Sequence, residues 1–461
     1  MNKIFSKILA ASFFLVNLNV SAAENFNLTL EDAINLAIQN NRSIEQAAAD
    51  VDIAKWNLSI ARRSSGISFS WESNFNRIGG RYYERNRLAH DYYGGDEYPA
   101  YTFENYNSFS LSMPVYSGGR LEAQRNAAKF QLQAAGSSFD NTKQEIAWEV
   151  ARAFYQVLQY KDIISVREEE INNLNTHLQN VQLQYEVGTV ALSDVLSTNV
   201  QIANSKQALN SARANFQNAV ANLNNIIGLP VDSPVTVAEE FNFVPFDKSE
   251  EECLEFALNN RPDAKAAALN VKSSEETISQ AKSGYRPKVN LVVQKYFSGE
   301  KLFEDNHNAN RWSAGLQMSW NIFDNNVTAA QVQLAKAQLK KSESAASQIL
   351  DAVKLDVHNA YTNLDIARLN ISITQDAVKQ AQEQYLIAQV RYEEGVDTNL
   401  NVMDAQEKLT QAKTNFFAAL YSYNTSRAQL FKAMGFFREP SHQGIGNSEN
   451  PSSLFTGTLE P

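Results

Sequence analysis

Two periodicities divide the chain. In two long stretches the apolar residues recur at steps of three and four. The first reads Ile146, Val150, Ala153, Val157, Tyr160 and Ile164, then Ile171, Leu174, Leu178, Val181 and Tyr185. The second reads Val353, Val357, Ala360, Leu364, Ala367 and Ile371, then Val378, Ala381, Tyr385, Ala388 and Tyr392. That spacing predicts helices with a coiled-coil seam. In four short stretches the alternation is every second residue. Ile67, Phe69, Trp71 and Phe75 interleave with Ser68, Ser70, Glu72, Asn74 and Asn76. Phe109, Leu111, Met113 and Val115 interleave with Ser108, Ser110 and Ser112. Val289, Leu291 and Val293 alternate with Asn290 and Gln294. Trp312, Ala314, Leu316, Met318, Trp320 and Ile322 alternate with Ser313, Gly315, Gln317, Ser319 and Asn321. These stretches predict β-strands with one apolar and one polar face.

The elements come twice. Pro114-Val115-Tyr116-Ser117-Gly118-Gly119 corresponds to Asn321-Ile322-Phe323-Asp324-Asn325-Asn326. Tyr185-Glu186-Val187-Gly188 corresponds to Tyr392-Glu393-Glu394-Gly395 at the same offset of about 207 residues. More loosely, Ala37 to Arg42 resembles Ala257 to Arg261. An internal duplication follows, with repeats at residues 24–228 and 251–435, a linker at 229–250 and a tail at 436–461. Each repeat is predicted to open with one helix (29–63 and 251–283). Two strands flank a polar loop, and a long helix comes next (120–185 and 327–392). A turn at Gly188 or Gly395 leads to a returning helix that ends at Gly228 or Gly435, since glycine accepts the left-handed angles of a helix end. Each long helix would reach ~100 Å at ~1.5 Å per residue. The two shorter helices of a repeat together nearly equal that, so stacked pairs beside full-length helices predict a tube.

Four strands with an apolar face and aromatic residues near its ends suit lipid on one side and water on the other. An ordinary antiparallel sheet on a core is the commoner use of such a pattern. The long polar loop after the first strand, rich in tyrosine and charge, favours the barrel. Four strands cannot close one, because the smallest bacterial membrane barrels have about eight. Backbone groups on an open edge in lipid go unpaired at several kcal/mol each. Several chains must therefore share a barrel; two copies would supply eight strands and three would supply twelve.

Composition narrows the setting. Lys3 and Lys7, an apolar run from Ile8 to Leu18 and the small residues Ser21-Ala22-Ala23 form a secretory signal peptide at residues 1–23. Its removal takes two lysines and no acid, so a net charge of −10 becomes about −12 for the mature chain. An acidic chain is a poor match for nucleic acid, which needs a basic face. The single cysteine, Cys253, has no partner for an intramolecular disulfide. Beyond the signal no apolar stretch approaches the ~18 residues of a membrane helix. The five histidines are scattered with no His-Glu-x-x-His, and neither a phosphate-binding loop nor a Gly-x-Ser-x-Gly elbow is present. Gly118-Gly119 lacks the lysine of a nucleotide site and suits a tight strand-to-helix junction. No enzyme activity, metal or cofactor is expected.

These residues together resemble the TolC-like outer membrane efflux proteins, also called outer membrane factors. The resemblance runs from about Leu28 to about Gly435. It is carried by Leu30-Glu31-Asp32-Ala33 with Asn40-Asn41, by Pro114…Gly118-Gly119, and by Tyr185-x-x-Gly188…Asp194-Val195-Leu196. The second copy matches with Tyr392-x-x-Gly395…Asn401-Val402-Met403-Asp404-Ala405. It implies a homotrimer whose twelve-stranded barrel lies in the outer membrane and continues as a twelve-helix periplasmic α-barrel. A mixed α/β belt would surround the tube midway. The implied partners are outer-membrane lipid, a periplasmic adaptor (membrane fusion) protein and an inner-membrane RND, MFS or ABC transporter. The duct would serve efflux, type I secretion or both.

The resemblance also assigns roles. Asp404 matches an acidic ring at the pore aperture, and Asn401 stands where a second acid is usual. Ser193 and Asp194 match one side of the links that hold the entrance shut, and Tyr392 the other. An Asp194–Tyr392 bond predicts that Tyr392→Phe raises conductance. Asp397, placed at the aperture with Asp404 and Asn401, occupies the position of a linking arginine, leaving Arg391 as a substitute in the gate links. The tip residues Gly188, Thr189, Val190, Leu192, Gly395, Val396 and Leu400 would meet the adaptor. The competing reading is a structural coiled-coil protein of the cell surface or periplasm, which leaves the paired strands unexplained.

Overall fold

A computed structural model describes residues 26–81, 92, 101–238, 243, 245–299 and 311–436. The predicted signal peptide, most of the polar loop after the first strand and nearly all of the tail lie outside these residues. The elements in chain order are β1 (Phe26–Leu28), α1 (Leu30–Asn40), α2 (Arg42–Arg63), β2 (Ser68–Gly79), β3 (Tyr101–Tyr116), α3 (Arg120–Glu186), α4 (Leu192–Ile227) and β4 (Val235–Val237). After them come α5 (Glu250–Asn260), α6 (Pro262–Lys282), a 3-10 turn (Ser283–Tyr285), β5 (Lys288–Gly299), β6 (Arg311–Ser319), α7 (Val327–Glu393) and α8 (Asn399–Met434). The long helices α3 and α7 each have 67 residues, and the returning helices α4 and α8 each have 36.

Each opening helix is two helices, not the single one that the apolar pattern predicts. Thr29 caps α1 in a capping box with Asp32, and α1 stops where Asn41 turns extended (φ −71°, ψ 129°). The Asn41 backbone amide still closes α1 on the Ala37 carbonyl at 2.8 Å, while its side-chain amide donates to the Ile226 carbonyl at 2.9 Å and so serves a neighbouring helix end. In the second copy Arg261 is extended (φ −60°, ψ 126°) and Pro262 starts α6. Proline pushes its predecessor out of the helical region and fits the first turn of a new helix. Arg261 braces this joint through Asp263 at 2.7 Å and Asp356 at 2.9 Å.

The chain divides into two compact units: Met1–Arg42, Lys143–Glu250 and His358–Pro461 form one, and Ser43–Thr142 with Glu251–Val357 the other. Both units draw on both repeats. In the second unit the strands form one antiparallel sheet in the order β2-β3-β5-β6. Its register aligns the predicted apolar residues in rows. Phe69, Leu111, Val293 and Ala314 make one row; in the next, Trp71, Phe109 and Trp312 align, with the charged Lys295 between the last two. Phe69 stacks on Phe109 at 5.8 Å. Trp312 and Leu316 remain 72 % and 68 % exposed. Large apolar side chains aligned in this way and left exposed form the kind of patch that marks an interaction surface.

Both strand-to-helix junctions have one geometry. Gly118 and Gly119 have φ of 68° and 90°, and their counterparts Asn325 and Asn326 have 51° and 64°. Ser117 accepts from the Leu121 amide at 3.2 Å, and Asp324, at the equivalent place, from the Thr328 amide at 2.9 Å. Asparagine is the side chain that best tolerates left-handed backbone after glycine. Asn326→Val should therefore lower the thermal unfolding midpoint, by a loss of ~1–2 kcal/mol, while Asn326→Gly should change it little. Equal midpoints for the two variants would contradict this account of the junction.

In the first unit β1 pairs in parallel with β4, and the seams of the long helices supply the core. Val150, Phe154, Val157, Val181, Leu223, Ile227, Tyr423 and Leu430 are almost fully buried. The two long helices end alike. After α3 the Gly188 amide reaches the Tyr185 carbonyl at 2.9 Å and Thr189 reaches Gln184 at 2.9 Å. After α7 the same pair of bonds joins Gly395 to Tyr392 and Val396 to Arg391. This is the Schellman ending, in which a left-handed residue returns the chain over the last turn.

Candidate functional site

The two hairpin tips, α3–α4 and α7–α8, lie in the first unit. A small apolar cluster joins them: Val181, Ala388, Tyr392, Val402 and Ala405, with Val190, Val195 and Tyr385 packed against it. Val190, expected on the docking surface, thus fastens the tip from within. Thr189, Leu192, Gly395, Val396 and Leu400 are exposed, as is Gly188.

The second tip is braced by the residues that the sequence places at the aperture and gate. Asp397 accepts from the Thr398 amide at 2.8 Å and from the Asn401 side chain. Arg391 Nε lies 3.4 Å from the other oxygen of Asp397. These contacts, with the Asn401 bond foremost, hold the Asp397 carboxyl below the usual range. Arg391 and Asp397 are therefore partners within one turn, and neither is directed to Asp194 by this pairing. Asp404 sits further along α8, half exposed, with Lys408 Nζ at 2.7 Å. An acidic ring built from Asp404 would carry its own compensating charge one helical turn away.

The expected Asp194–Tyr392 bond is not formed. Tyr392 is buried, and its hydroxyl has no hydrogen-bond partner among the described residues. Burial, assisted by the nearby Asp194 charge, raises the phenol pKa. The physical reason lies in the packing: the ring meets His177 edge-on at 4.9 Å and sits in the apolar cluster. The Asp194 backbone carbonyl is engaged instead, accepting from Asn399 at 3.1 Å and Thr198 at 2.8 Å. Ser193 is exposed on the first turn of α4.

The apolar pattern does not disclose a set of polar links between the hairpins. Glu169 pairs with Lys413 at 2.6 Å, Asn173 with Gln406 at 3.1 Å, His177 with Asn399 at 2.7 Å and Asn180 with Glu393 at 3.2 Å. The α3 residues recur every three or four positions, so they share one helix face. A signal for them does exist: steps of three and four from Leu174 to Val181 admit His177 as readily as Leu178, and it is His177 that is buried.

The model of the family described as "Outer membrane efflux protein" matches residues 33–229 and 253–436. The chain belongs to this family. Among curated outer membrane efflux proteins, BepC of Brucella suis is 21 % identical over 433 residues, covering 94 % of this chain and 91 % of its own. The outer membrane protein TolC of Escherichia coli is 24 % identical over 395 residues, covering 81 % and 80 %. Among solved structures, the outer membrane protein VceC of Vibrio cholerae superposes with a TM-score of 0.74 at 17 % identity, covering 89 % of this chain and 97 % of that one. The fold is that of an outer membrane efflux channel, mainly α with membrane β. The chain is a bacterial outer-membrane exit duct for efflux that extends into the periplasm. Its relatives are transport proteins rather than enzymes.

Proposed function

We propose that three copies of this outer membrane efflux protein form one duct, with a twelve-stranded barrel in lipid and a twelve-helix tube in the periplasm. The observation that carries the proposal is the four-stranded sheet with β2 and β6 at its edges and a row of exposed apolar side chains across it. Such a sheet is unstable in lipid until its edges are paired, and neighbouring copies supply the partners. Residues 24–228 and 251–435 act as two quasi-equivalent repeats joined by 229–250, so three chains approximate six units around the axis. The tips close the periplasmic entrance, with Asp404 and Asn401 nearest the aperture. Gly188, Thr189, Leu192, Gly395, Val396 and Leu400 receive an adaptor protein coupled to an RND, MFS or ABC pump, which supplies the energy. Drugs or proteins pass through.

Tyr392 contributes to closure through its ring rather than its hydroxyl. The test is conductance in planar bilayers of the protein extracted from outer membranes by detergent. The wild type should form a heat-modifiable oligomer with small pores. Tyr392→Phe should match it, because an unbonded hydroxyl is lost, whereas Tyr392→Ala should raise conductance by emptying the cluster between the tips. A freely water-soluble protein that makes no pores would end the proposal.

A further inference from the structure

We propose that the buried His177–Asn399 pair is the latch between the two hairpins of each protomer, and that mild acid releases it. This rests on the reading above that the tips close the duct. Asn399, the first residue of α8, is held from three sides by the first hairpin. Its side-chain amide donates toward the Asp194 carbonyl at 3.1 Å, Ser197 Oγ at 3.2 Å and Thr198 Oγ1 at 3.1 Å. Its oxygen faces His177 Nε2 at 2.7 Å. His177 and Asn399 are only 2 % and 4 % exposed, whereas the rungs at Glu169 and Asn180 reach solvent. Within this ladder the His177 rung is the buried one, and histidine is the side chain that titrates between neutrality and mild acid.

The hydrogen-bond pattern sets the protonation state. With the Asn399 amide committed as donor, its oxygen must accept, so His177 carries its proton on Nε2. Nδ1 is then a bare lone pair, buried and with no partner among the described residues. A second proton would arrive at Nδ1, creating a buried cation whose new N–H has nothing to bond. Such a group is destabilising by both its charge and its unmade bond.

The surroundings agree in direction. Burial holds His177 below the ordinary histidine value, opposed by the Asn399 bond and the charge of Glu393. The groups that face it are Glu393 and Tyr392 from α7 and the neutral Asn399 from α8, while Asp194 and Thr198 of α4 bind Asn399 on its other side. Once the hairpins part, the imidazole meets water and regains its ordinary value. The latched form is thus fully favoured above that value and loses ground as pH falls through it. The latched-to-released ratio drops by up to about tenfold per pH unit in each protomer, until the latched histidine itself is protonated.

The experiment is single-channel conductance of the full-length protein at neutral pH and at about pH 5. Wild-type conductance should rise reversibly in acid. His177→Gln keeps a donor near the Nε2 position without a titrating group, and its conductance should stay low and flat. Asn399→Ala should be high at both pH values. Acid-insensitive wild-type pores, an unchanged acid rise in His177→Gln, or wild-type behaviour of Asn399→Ala would each overturn the latch while leaving the duct standing. A protein that makes no pore at either pH would overturn the duct and the latch with it.

Discussion

Gly228→Val should strip the folded protein from the outer membrane. Gly228 follows α4 in the left-handed region at φ 78°, with the Leu229 amide turned back to the Asn224 carbonyl at 2.9 Å. A β-carbon there would lie 2.6 Å from Asn40 Cβ and 3.0 Å from the Asn40 carbonyl oxygen. These are atoms at the end of α1, not the free end of a long side chain. Relief requires α1 and α4 to separate, which pulls Asn41 from the Ile226 carbonyl. The left-handed strain costs about 1–2 kcal/mol, the forced contact about 1–3 kcal/mol, and the broken hydrogen bond about 1 kcal/mol. Together, at about 3–6 kcal/mol, they reach the lower end of the ~5–15 kcal/mol that holds a typical domain together. Quantified outer-membrane protein and the thermal midpoint of whatever remains are the measurements. Wild-type levels with a wild-type midpoint would show that α1 and α4 are less closely matched than this packing implies.

The helices are largely legible in the amino-acid sequence, because a heptad seam repeated at one offset is a pattern that few other folds produce. The seam predicts helices at 120–185 and 327–392, and α3 and α7 each run one residue further. The strands are legible too, and their pairing aligns the apolar residues that the alternation marks. What the pattern conceals is punctuation. The opening helices break at Asn41 and Arg261 because a hydrogen bond to another helix end and a proline outweigh a seam that continues through them. Pro262 is a readable signal; the partner of Asn41 is not, since it lies 185 residues away.

The site divides along similar lines. Tip glycines can be read from a helix pattern that stops and restarts. Bond partners at the tips cannot, because they depend on which of two adjacent residues faces inward. The choice of His177 over Leu178 places a titratable ring against Tyr392 and leaves that phenol without Asp194. Lys408 is inconspicuous for another reason: an ion pair four residues along a helix is so common on surfaces that only proximity to a proposed aperture makes it informative.

Gly188→Asp should abolish export while leaving the assembled protein in the outer membrane. Gly188 has nearly the same backbone angle as Gly228, φ 80°, yet no atom lies within 4 Å of where a β-carbon would be. The only strain on the fold is therefore left-handed backbone, and aspartate is among the residues that bear it best. Docking is another matter. A tip that must meet an adaptor's tip needs close approach, and interface cores exclude charged residues. Glu186 and Glu394 already flank the two turns, so another carboxylate adds like charge as well as bulk. Complementation of a deletion strain, scored by drug sensitivity, should fail by a wide margin, while the heat-modifiable oligomer persists on gels. Lost oligomer would move Gly188 to the structural class of Gly228. Retained export would mean that the tips tolerate a charge, and that the adaptor grips the duct elsewhere.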